Sequence, residues 1–443
     1  MASSPVPATQ SPFRRALVAV GVGVALLAGA SQLNKLFRGG LSAPVDFAAF
    51  WAAGKLTTEG ANPYSGDHLR DAQAAVGLTD LAVIAWNPPW TLTFLMPFGA
   101  LDFRAAYGLW VLVHLALIAA SALLLWRAFD GPKRFAWVAV LLALTFAPTV
   151  FLIGNAQLTA IVLFGVAGFV AASRANRPLL AGAALALCAT KPHLIVPLGV
   201  WLLCAACGSG FARNALLGAV VTGALMCVPP TLAASHVWAD YLAAVTGPPD
   251  PRIRPLSEWK PPLIGWWARQ AVPGSPFWVQ WVPVVLASIA VAAWCAKRGA
   301  RLSPVPWLIG LSLLVAPYGA WSYDLVLLLV PLLAVAARMT DRGAIALGVG
   351  LLASVNAVSL AMMLCATSSE WYVWFAPLVL LGAWGLKKPT PPGPPSLKGR
   401  GEKELRSLST SGDAQNAEPK FSPLPFREGG PGGVGSEAAR ATT

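Results

Sequence analysis

The stretch AAYGLWVLVHLALIAASALLLW, Ala105–Trp126, decides the fold class of this chain. It contains no Asp, Glu, Lys or Arg from one end to the other. A helix needs about 20 consecutive apolar residues to cross the hydrocarbon core of a bilayer, and this stretch has that length. It therefore predicts a membrane-spanning helix.

Similar apolar runs recur along the chain, which is 56% hydrophobic and only 12% charged over 443 residues. This composition excludes an ordinary soluble protein. It predicts an all-α polytopic membrane protein with about twelve transmembrane helices, several of them short enough to be tilted, broken or partly buried in protein. The expected spans are Ala16–Ala30, Ala105–Trp126, Phe135–Ile153, Leu158–Ala172, Leu179–Ala189, Leu194–Ala206, Ala215–Val228, Phe277–Ala296, Pro306–Pro317, Leu325–Ala337, Ala344–Leu364 and Tyr372–Leu386.

Lysines and arginines between the runs set the predicted orientation. With a cytoplasmic N-terminus and a retained first helix, every basic cluster between spans falls on the cytoplasmic side, as the positive-inside rule requires. These loop cations also explain the net charge of +13, so we expect no nucleic-acid partner. The same orientation places most carboxylates and two long segments, about 39–104 and 231–276, on the outer face.

The chain divides in composition near its C-terminal end. Residues 1–388 carry all the apolar runs and are expected to form one membrane domain, whereas residues 389–443 are rich in Pro, Gly, Ser and charge. Such a composition cannot bury enough apolar surface to fold. We therefore expect a disordered cytoplasmic tail, so that both termini lie in the cytoplasm.

The sequence lacks the common motifs for nucleotide and metal chemistry. It has no Walker loop, no H-E-x-x-H, no G-x-S-x-G and no D-x-D pair, and its four histidines are far apart. We therefore expect no metal site and no firm cofactor. What remains is a set of isolated carboxylates at the outer membrane surface, accompanied by Trp, Tyr, Arg and Lys. That set suits attack by a hydroxyl on an activated lipid-linked group, where a carboxylate takes the proton and cations hold the leaving phosphate.

Five stretches, in order, resemble a known family. They resemble the polyprenyl-phosphate-mannose-dependent membrane glycosyltransferases of fold type C, similar to glycosyltransferase family 87 and to bacterial domain-of-unknown-function members. The stretches are DFAAFWAAGKLTTEGANPYSGDHL (46–69), WNPPW (86–90), GNAQLTAIVLFG (154–165), AGAALALCATKPHLIVPL (181–198) and APYGAWSYDLVLLLVPLL (316–333). The third departs from the family, which more often has Gly-Gln-Asn where this chain has Gly-Asn-Ala-Gln.

The resemblance implies a fold-type-C glycosyltransferase whose catalytic aspartate, in the first outer segment, corresponds to Asp46. As a general base, Asp46 would accept the proton of the acceptor hydroxyl as its oxygen attacks the anomeric carbon, with inversion. Interfacial placement beside Phe47, Phe50 and Trp51 is expected to raise its pKa, and nearby cations to lower it. The alternative is that Asp46 only caps a helix at the interface.

Other candidate residues would bind the substrates. Lys191 is a candidate ligand of the lipid phosphate, or else extends to the interface. Arg252, Arg254 and Lys260 in the second outer segment are candidates for the same phosphate, with solvated loop charges as the alternative. Asn155 and Gln157 are candidates to hydrogen-bond sugar hydroxyls, or else form a turn between two helices.

Tyr323 and Asp324 lie where better-known relatives have a histidine nearby, so a mannose-specific mechanism does not transfer directly. A carboxylate at the end of a span needs a partner, which makes Asp324 a candidate second carboxylate or the partner of Lys191 or an arginine. Aromatic residues are candidates to stack on sugar or prenyl groups, or else belong to an interfacial aromatic belt. They are Tyr64, Trp86, Trp90 and Trp259.

Together these features predict an integral-membrane transferase of the cell membrane with its site on the periplasmic or extracytoplasmic face. It would move a hexose, mannose-like, from a polyprenyl-phosphate donor to a glycolipid or glycan acceptor. Membrane lipids would be its other partners. We expect little or no metal dependence, because the leaving group has no nucleotide pyrophosphate. Two other classes remain open: a transporter or flippase of lipid-linked sugars, and a non-catalytic membrane assembly protein.

Overall fold

The computed structural model describes residues 45–78, 81–254, 259–299 and 304–386. Within these residues it is helical and contains no β-strand, and its only β-pairing is an isolated parallel bridge between Ala82 and Ile253. The predicted all-α fold is confirmed. The predicted first span, Ala16–Ala30, and the predicted tail, 389–443, lie outside the described residues.

Seventeen α-helices follow one another in the described residues, joined in places by short 3-10 segments. They are α1 (Val45–Thr58), α2 (Gly66–Ala74), α3 (Leu92–Gly99), α4 (Phe103–Ala128), α5 (Ala136–Thr145), α6 (Ala147–Gly154), α7 (Thr159–Arg174), α8 (Pro178–Ala186), α9 (Val196–Gly208), α10 (Gly210–Ala233), α11 (Val237–Thr246), α12 (Ile264–Gln270), α13 (Val282–Arg298), α14 (Val305–Val315), α15 (Leu329–Ala336), α16 (Arg342–Leu364) and α17 (Phe375–Leu386).

Four helical segments in the described residues are long and apolar enough to cross a membrane: Phe103–Ala128, Gly210–Ala233, Phe277–Arg298 and Arg342–Leu364. A fifth candidate is the pair formed by Lys133–Thr145 and α6, which bends by 55° at its break. The predicted count of about twelve spans is not confirmed. The difference comes from length, because several predicted runs fold as helices shorter than the bilayer core is thick.

Five shorter apolar helical segments account for much of that difference: Thr159–Arg174, Pro178–Thr190, Val196–Gly208, Val305–Val315 and Asp324–Ala336. The first of them, α7, is buried on nearly every side, which explains why its sequence is apolar all round. These segments pack against other helices, so protein covers much of their apolar surface. A run of apolar residues therefore does not by itself distinguish a span from a buried helix.

Glycines allow two helix pairs to pack closely. A Cβ on Gly182 of α8 would lie 1.8 Å from the carbonyl oxygen of Ala215 in α10, and one on Gly218 of α10 would lie 2.2 Å from that of Leu179. The pair α1 and α3 is built in the same way, through Gly54 and Gly99. Small residues at such crossings let helix backbones approach each other, as is typical of membrane proteins.

Helix α1 lies in the described part of segment 39–104, which the sequence predicts to be on the outer face. Phe47, Phe50 and Trp110 pack in one hydrophobic cluster that also contains Ala156 and Leu158 from the turn between α6 and α7. Helix α3 has eight residues and is therefore about 12 Å long, too short to cross the membrane. The cluster brings the start of α1 to the start of α7.

Candidate active site

Asp46 lies in the first turn of α1, where the helix dipole favours a negative charge. Its Oδ2 accepts a hydrogen bond from Gln157 Nε2 at 2.6 Å. Burial raises the pKa of Asp46, while the hydrogen bond from Gln157 and the charge of Lys191 oppose that rise. This is the balance of burial and nearby cations expected from the sequence.

Gln157 is positioned by the C-terminal end of α6. The N–H of Gln157 bonds to the carbonyl of Leu152 at 3.0 Å and that of Ala156 to Ile153 at 3.2 Å, which is the Schellman pattern that commonly ends a helix. Ala156 has a φ of 53°, in the left-handed region that glycine adopts most easily. Trp110 Nε1 donates to the Ala156 carbonyl at 3.0 Å, so the turn is fixed from the other side as well.

Lys191 occupies a break between two 3-10 segments, Leu187–Thr190 and Pro192–Leu194. The WNPPW stretch holds the backbone just before it. Asn87 Nδ2 donates to the carbonyl of Thr190 at 2.7 Å, and Trp90 Nε1 donates to that of Ala189 at 2.9 Å. Two of the motifs distant in sequence are therefore in direct contact at this lysine.

The ammonium of Lys191 is enclosed by protein and does not extend to the surface. Its Nζ lies 2.9 Å from Gln157 Oε1, 3.1 Å from Thr159 Oγ1 and 2.8 Å from Asp324 Oδ1. An ammonium has three N–H donors, and these three acceptors use all of them. A phosphate that binds Lys191 must therefore displace one of these bonds.

Asp324 is fully buried and is the ionic partner of Lys191. Its Oδ1 also accepts from the Thr159 hydroxyl, and its Oδ2 accepts from the Trp321 N–H at 2.9 Å. The ring of Tyr323 completes the enclosure, with its centroid 4.9 Å from Lys191 Nζ in a cation–π arrangement. Of the sequence-based alternatives for Asp324, the structure shows the pairing with Lys191.

These contacts form one continuous network from Asp46 through Gln157 to Lys191 and Asp324. The amide of Gln157 is used at both ends, because its NH2 donates to Asp46 while its oxygen accepts from Lys191. This fixes the amide so that a donor faces the carboxylate. The positive charge of Lys191 is offset by Asp324, which limits how far it lowers the pKa of Asp46.

A histidine lies next to this network. The ring of His193 packs on that of Tyr318 with centroids 4.3 Å apart, and burial lowers the pKa of His193 to about 3. Gly319 has a φ of 69°, and a Cβ there would lie 2.4 Å from His193 Nε2. Both the backbone conformation and the close approach therefore require glycine at this position.

The other predicted substrate residues make different contacts. Asn155 donates its amide to the Phe151 carbonyl at the end of α6, and Tyr64 donates its hydroxyl to the carbonyl of Asn87. Arg252 is bound by two carboxylates, and Lys260 is exposed. Burial raises the pKa of Asp46, and the charge of Arg254 is one of the influences that oppose this rise. Whether these residues bind substrate stays a prediction.

Of the four predicted aromatic residues, Trp86 packs against the hydrophobic cluster of Phe47 and Phe50. Trp90 and Tyr64 donate hydrogen bonds to backbone carbonyls, as described above. Trp259 packs edge-on against Trp321, with ring centroids 5.9 Å apart. Trp321 in turn stacks with Tyr323. A row of three aromatic rings therefore leads to the lysine.

Two members of the network were not identified from the sequence. Thr159 lies within the quoted stretch GNAQLTAIVLFG, so the resemblance to the family could have identified it. Trp321 contributes its backbone N–H, which carries no information about residue type. The turn that precedes Asp324 brings the Trp321 N–H to the Asp324 carboxylate.

A comparison with protein families agrees with this arrangement of motifs. The sequence profile of Glycosyltransferase family 87 matches residues 86–317, more than half of the chain. The chain belongs to glycosyltransferase family 87. This confirms the resemblance drawn from the sequence and identifies the protein as a glycosyltransferase. No curated protein and no solved structure matches the chain.

The matched part of this family 87 glycosyltransferase includes Gln157, Thr159 and Lys191 but not Asp46 or Asp324. The last two are joined to the matched part by hydrogen bonds of their side chains. The network therefore connects the family region to the segments on both sides of it.

Proposed function

We propose that this glycosyltransferase moves a hexose, mannose-like, from a polyprenyl-phosphate donor to a glycolipid or glycan acceptor at the outer face of the cell membrane. Asp46 acts as the general base. The observation that carries the proposal is the Asp46–Gln157 contact, because it joins a carboxylate with a raised pKa to a region that belongs to the glycosyltransferase family.

The geometry leaves one oxygen of the base for the acceptor. Among the described residues, Asp46 accepts a single hydrogen bond, at Oδ2. The Oδ1 atom can therefore accept the hydroxyl proton of the acceptor. A raised pKa brings the carboxyl closer to the working pH and makes it a better proton acceptor in its ionised form.

The proposed reaction is a single displacement. The acceptor oxygen forms a bond to the anomeric carbon while its proton passes to Asp46, and the bond from the anomeric carbon to the phosphate oxygen breaks. The products are an inverted glycoside and a polyprenyl phosphate. Asp46 then releases its proton to solvent. Trp259, Trp321 and Tyr323 are partly exposed, and a sugar can stack on an aromatic residue of this row.

The test uses purified protein in lipid, radiolabelled polyprenyl-phosphate mannose, glucose or arabinose, and a native lipid extract. We expect the wild type to transfer label and Asp46→Asn to lose at least about a hundredfold in rate, the lower end of what a general base contributes. Asn is close in shape and retains an acceptor oxygen, so it is a conservative replacement.

Two results would contradict the proposal in different ways. Equal transfer by wild type and Asp46→Asn would show that Asp46 is not the base. Absence of transfer by the wild type with all three donors would exclude these donors and favour a transporter or a non-catalytic role.

A further inference from the structure

A cavity of about 250 Å³ lies between the C-terminal end of α7, helix α9 and the first turn of α10, and is called here the α10 cavity. Its lining includes Ser173, Asn176, Trp201, Ser209 and Phe211. Ser173 is in the last turn of α7, whereas Thr159, a member of the Asp46 network, begins that helix about 21 Å away along its axis. The α10 cavity is therefore separate from the candidate active site.

Two buried polar groups on the lining of the α10 cavity have no hydrogen-bond partner among the described residues. They are the Ser173 hydroxyl and the Trp201 indole N–H, on residues that are 7% and 3% exposed. The Trp201 ring is fixed by an edge-on contact with Phe169, with ring centroids 6.4 Å apart. A buried polar group without a partner is destabilising. A ligand that accepts hydrogen bonds from both groups would remove this penalty.

The groups that remain for a ligand here are mainly donors. At the end of α7, the carbonyls of residues 171–173 already accept bonds from the N–H groups of residues 175–177. At the start of α10, by contrast, the first N–H groups have no partner within the helix, and the Ser209 hydroxyl accepts the one from Ala212 at 3.4 Å. The indole N–H can only donate. This set favours a ligand rich in acceptor oxygens.

The charge at this end of α10 favours an anion. A helix N-terminus carries a partial positive charge, and a cation beside it is unfavourable. The Arg213 Nη2 nevertheless lies 4.0 Å from where a Cβ on Gly210, the first residue of α10, would be. Arg177, in the loop after α7, is exposed as well, whereas Arg174 is bound by Asp130. Positive charge therefore accompanies the free donors.

We propose that the α10 cavity binds a phosphate group, with the Trp201 indole, the Ser173 hydroxyl and the first turn of α10 as donors and Arg213 as the cation. Helix N-termini bind phosphate through their free N–H groups and their dipole, and arginine adds a charged hydrogen bond. The group can belong to a lipid headgroup or to a soluble phosphate compound, because both present the same oxygens. The positive-inside orientation predicts that this site is cytoplasmic, on the opposite side from the proposed transfer reaction.

Thermal unfolding of the purified full chain in phosphate-free detergent buffer tests this site. The probes are inorganic phosphate, phosphatidylglycerol, and a diacylglycerol with the same acyl chains but no phosphate. We expect a saturable rise in melting temperature with a phosphate-bearing probe and none with diacylglycerol, because a ligand that binds the folded state stabilises it. A rise with phosphatidylglycerol alone would identify a lipid headgroup. A rise with inorganic phosphate would show that the group is bound without a lipid.

Two conservative variants connect the effect with the α10 cavity. Trp201→Phe keeps an aromatic ring but removes the indole N–H, and Ser173→Ala removes the hydroxyl. Because neither group has a partner among the described residues, both variants should unfold close to the wild-type temperature when no probe is present. Each should weaken binding of the phosphate-bearing probe about tenfold or more, since each removes a hydrogen bond to a charged group.

Arg213→Gln should weaken the same binding through loss of the cation. The matched control is Trp137→Phe, at an exposed position of α5 outside the cavity lining, which should bind like the wild type. Three results would overturn the assignment: no rise with either phosphate-bearing probe, an equal rise with diacylglycerol, or undiminished binding by both Trp201→Phe and Ser173→Ala. These measurements require no sugar transfer, so a failure of the proposed reaction would not affect them.

Discussion

At the scale of single residues, Gln157 decides the state of the proposed base. Its NH2 group faces Asp46 only because its oxygen is held by Lys191. A carboxylate that accepts a hydrogen bond is stabilised in its ionised form. The glutamine therefore works against the burial that raises the pKa of Asp46.

This balance predicts the pH dependence of transfer. Because the pKa of Asp46 is raised, the rate should fall on the acid side at a higher pH than an ordinary aspartate would give. Gln157→Leu removes the bond that lowers this pKa, so the acid limb should move to still higher pH. The measurement is the pH–rate profile of each variant. Asn155→Ala is the control, because the Asn155 amide bonds only within its own helix end. This variant should leave the pH of the acid-side fall in rate unchanged, whatever its effect on the maximal rate. A shift in that pH equal to the shift of Gln157→Leu would contradict the prediction.

The ion pair of Lys191 and Asp324 predicts how single and double variants change the free energy of unfolding. Either single variant, Lys191→Met or Asp324→Asn, leaves a buried group without its ionic partner and should lower the free energy of unfolding by about 3–5 kcal/mol. The double variant removes both charges and should be more stable than the sum of the two losses predicts. Thermal unfolding in detergent or lipid measures all three, and strictly additive losses would show that the pair is not coupled.

At the scale of elements, the site depends on how closely α1 lies against α3. A Cβ on Gly54 would be 2.3 Å from the carbonyl oxygen of Leu95, and one on Gly99 would be 2.1 Å from the backbone nitrogen of Lys55. Helix α1 carries Asp46 in its first turn. A change in the distance between these helices is therefore expected to move the base.

Gly54→Ala tests this dependence. The added methyl group meets backbone that cannot rotate away, so we expect a loss of about 1–3 kcal/mol in stability together with a fall in transfer. Gly108→Ala in α4 is the matched control, because nothing lies within 4 Å of its Cβ position. Alanine is the better helix former, so the control should be neutral or slightly stabilising. Equal melting temperatures for the two variants would show that the contact does not matter.

At the scale of the whole molecule, the predicted orientation is open to a direct test with native cysteines. Cys207, at the end of α9, and Cys365, just after α16, are both exposed, whereas Cys188 is buried. The positive-inside orientation places Cys207 on the cytoplasmic side and Cys365 on the outer side.

A thiol reagent that cannot cross the membrane should therefore label Cys365 in intact cells and Cys207 in inverted vesicles. Single-cysteine variants identify the labelled site, and a variant that retains only Cys188 should react in neither preparation. Labelling of Cys207 from outside would reverse the orientation and place the proposed site on the cytoplasmic face.

The sequence by itself determined the helical class, the positions of most apolar helices and the family. These follow from local properties: apolar length, composition and short motifs in order. It also indicated Asp46 and Gln157, through the resemblance to the family, and Lys191 and Asp324, because charged groups beside apolar runs are costly unless they are paired or functional. It did not determine how many of the apolar runs span the membrane, since a buried helix and a span have the same composition.

Only the tertiary structure decided which of these residues meet. The contacts of Asp46 with Gln157, and of Lys191 with Asp324, join residues more than a hundred positions apart. Likewise, only the tertiary structure shows that Asp67 and Asp250, which lie far apart in the sequence, both bind Arg252. Long-range pairing depends on how helices pack, through close approaches such as that of Gly54 to Leu95. Local sequence patterns do not predict which helices approach each other in this way.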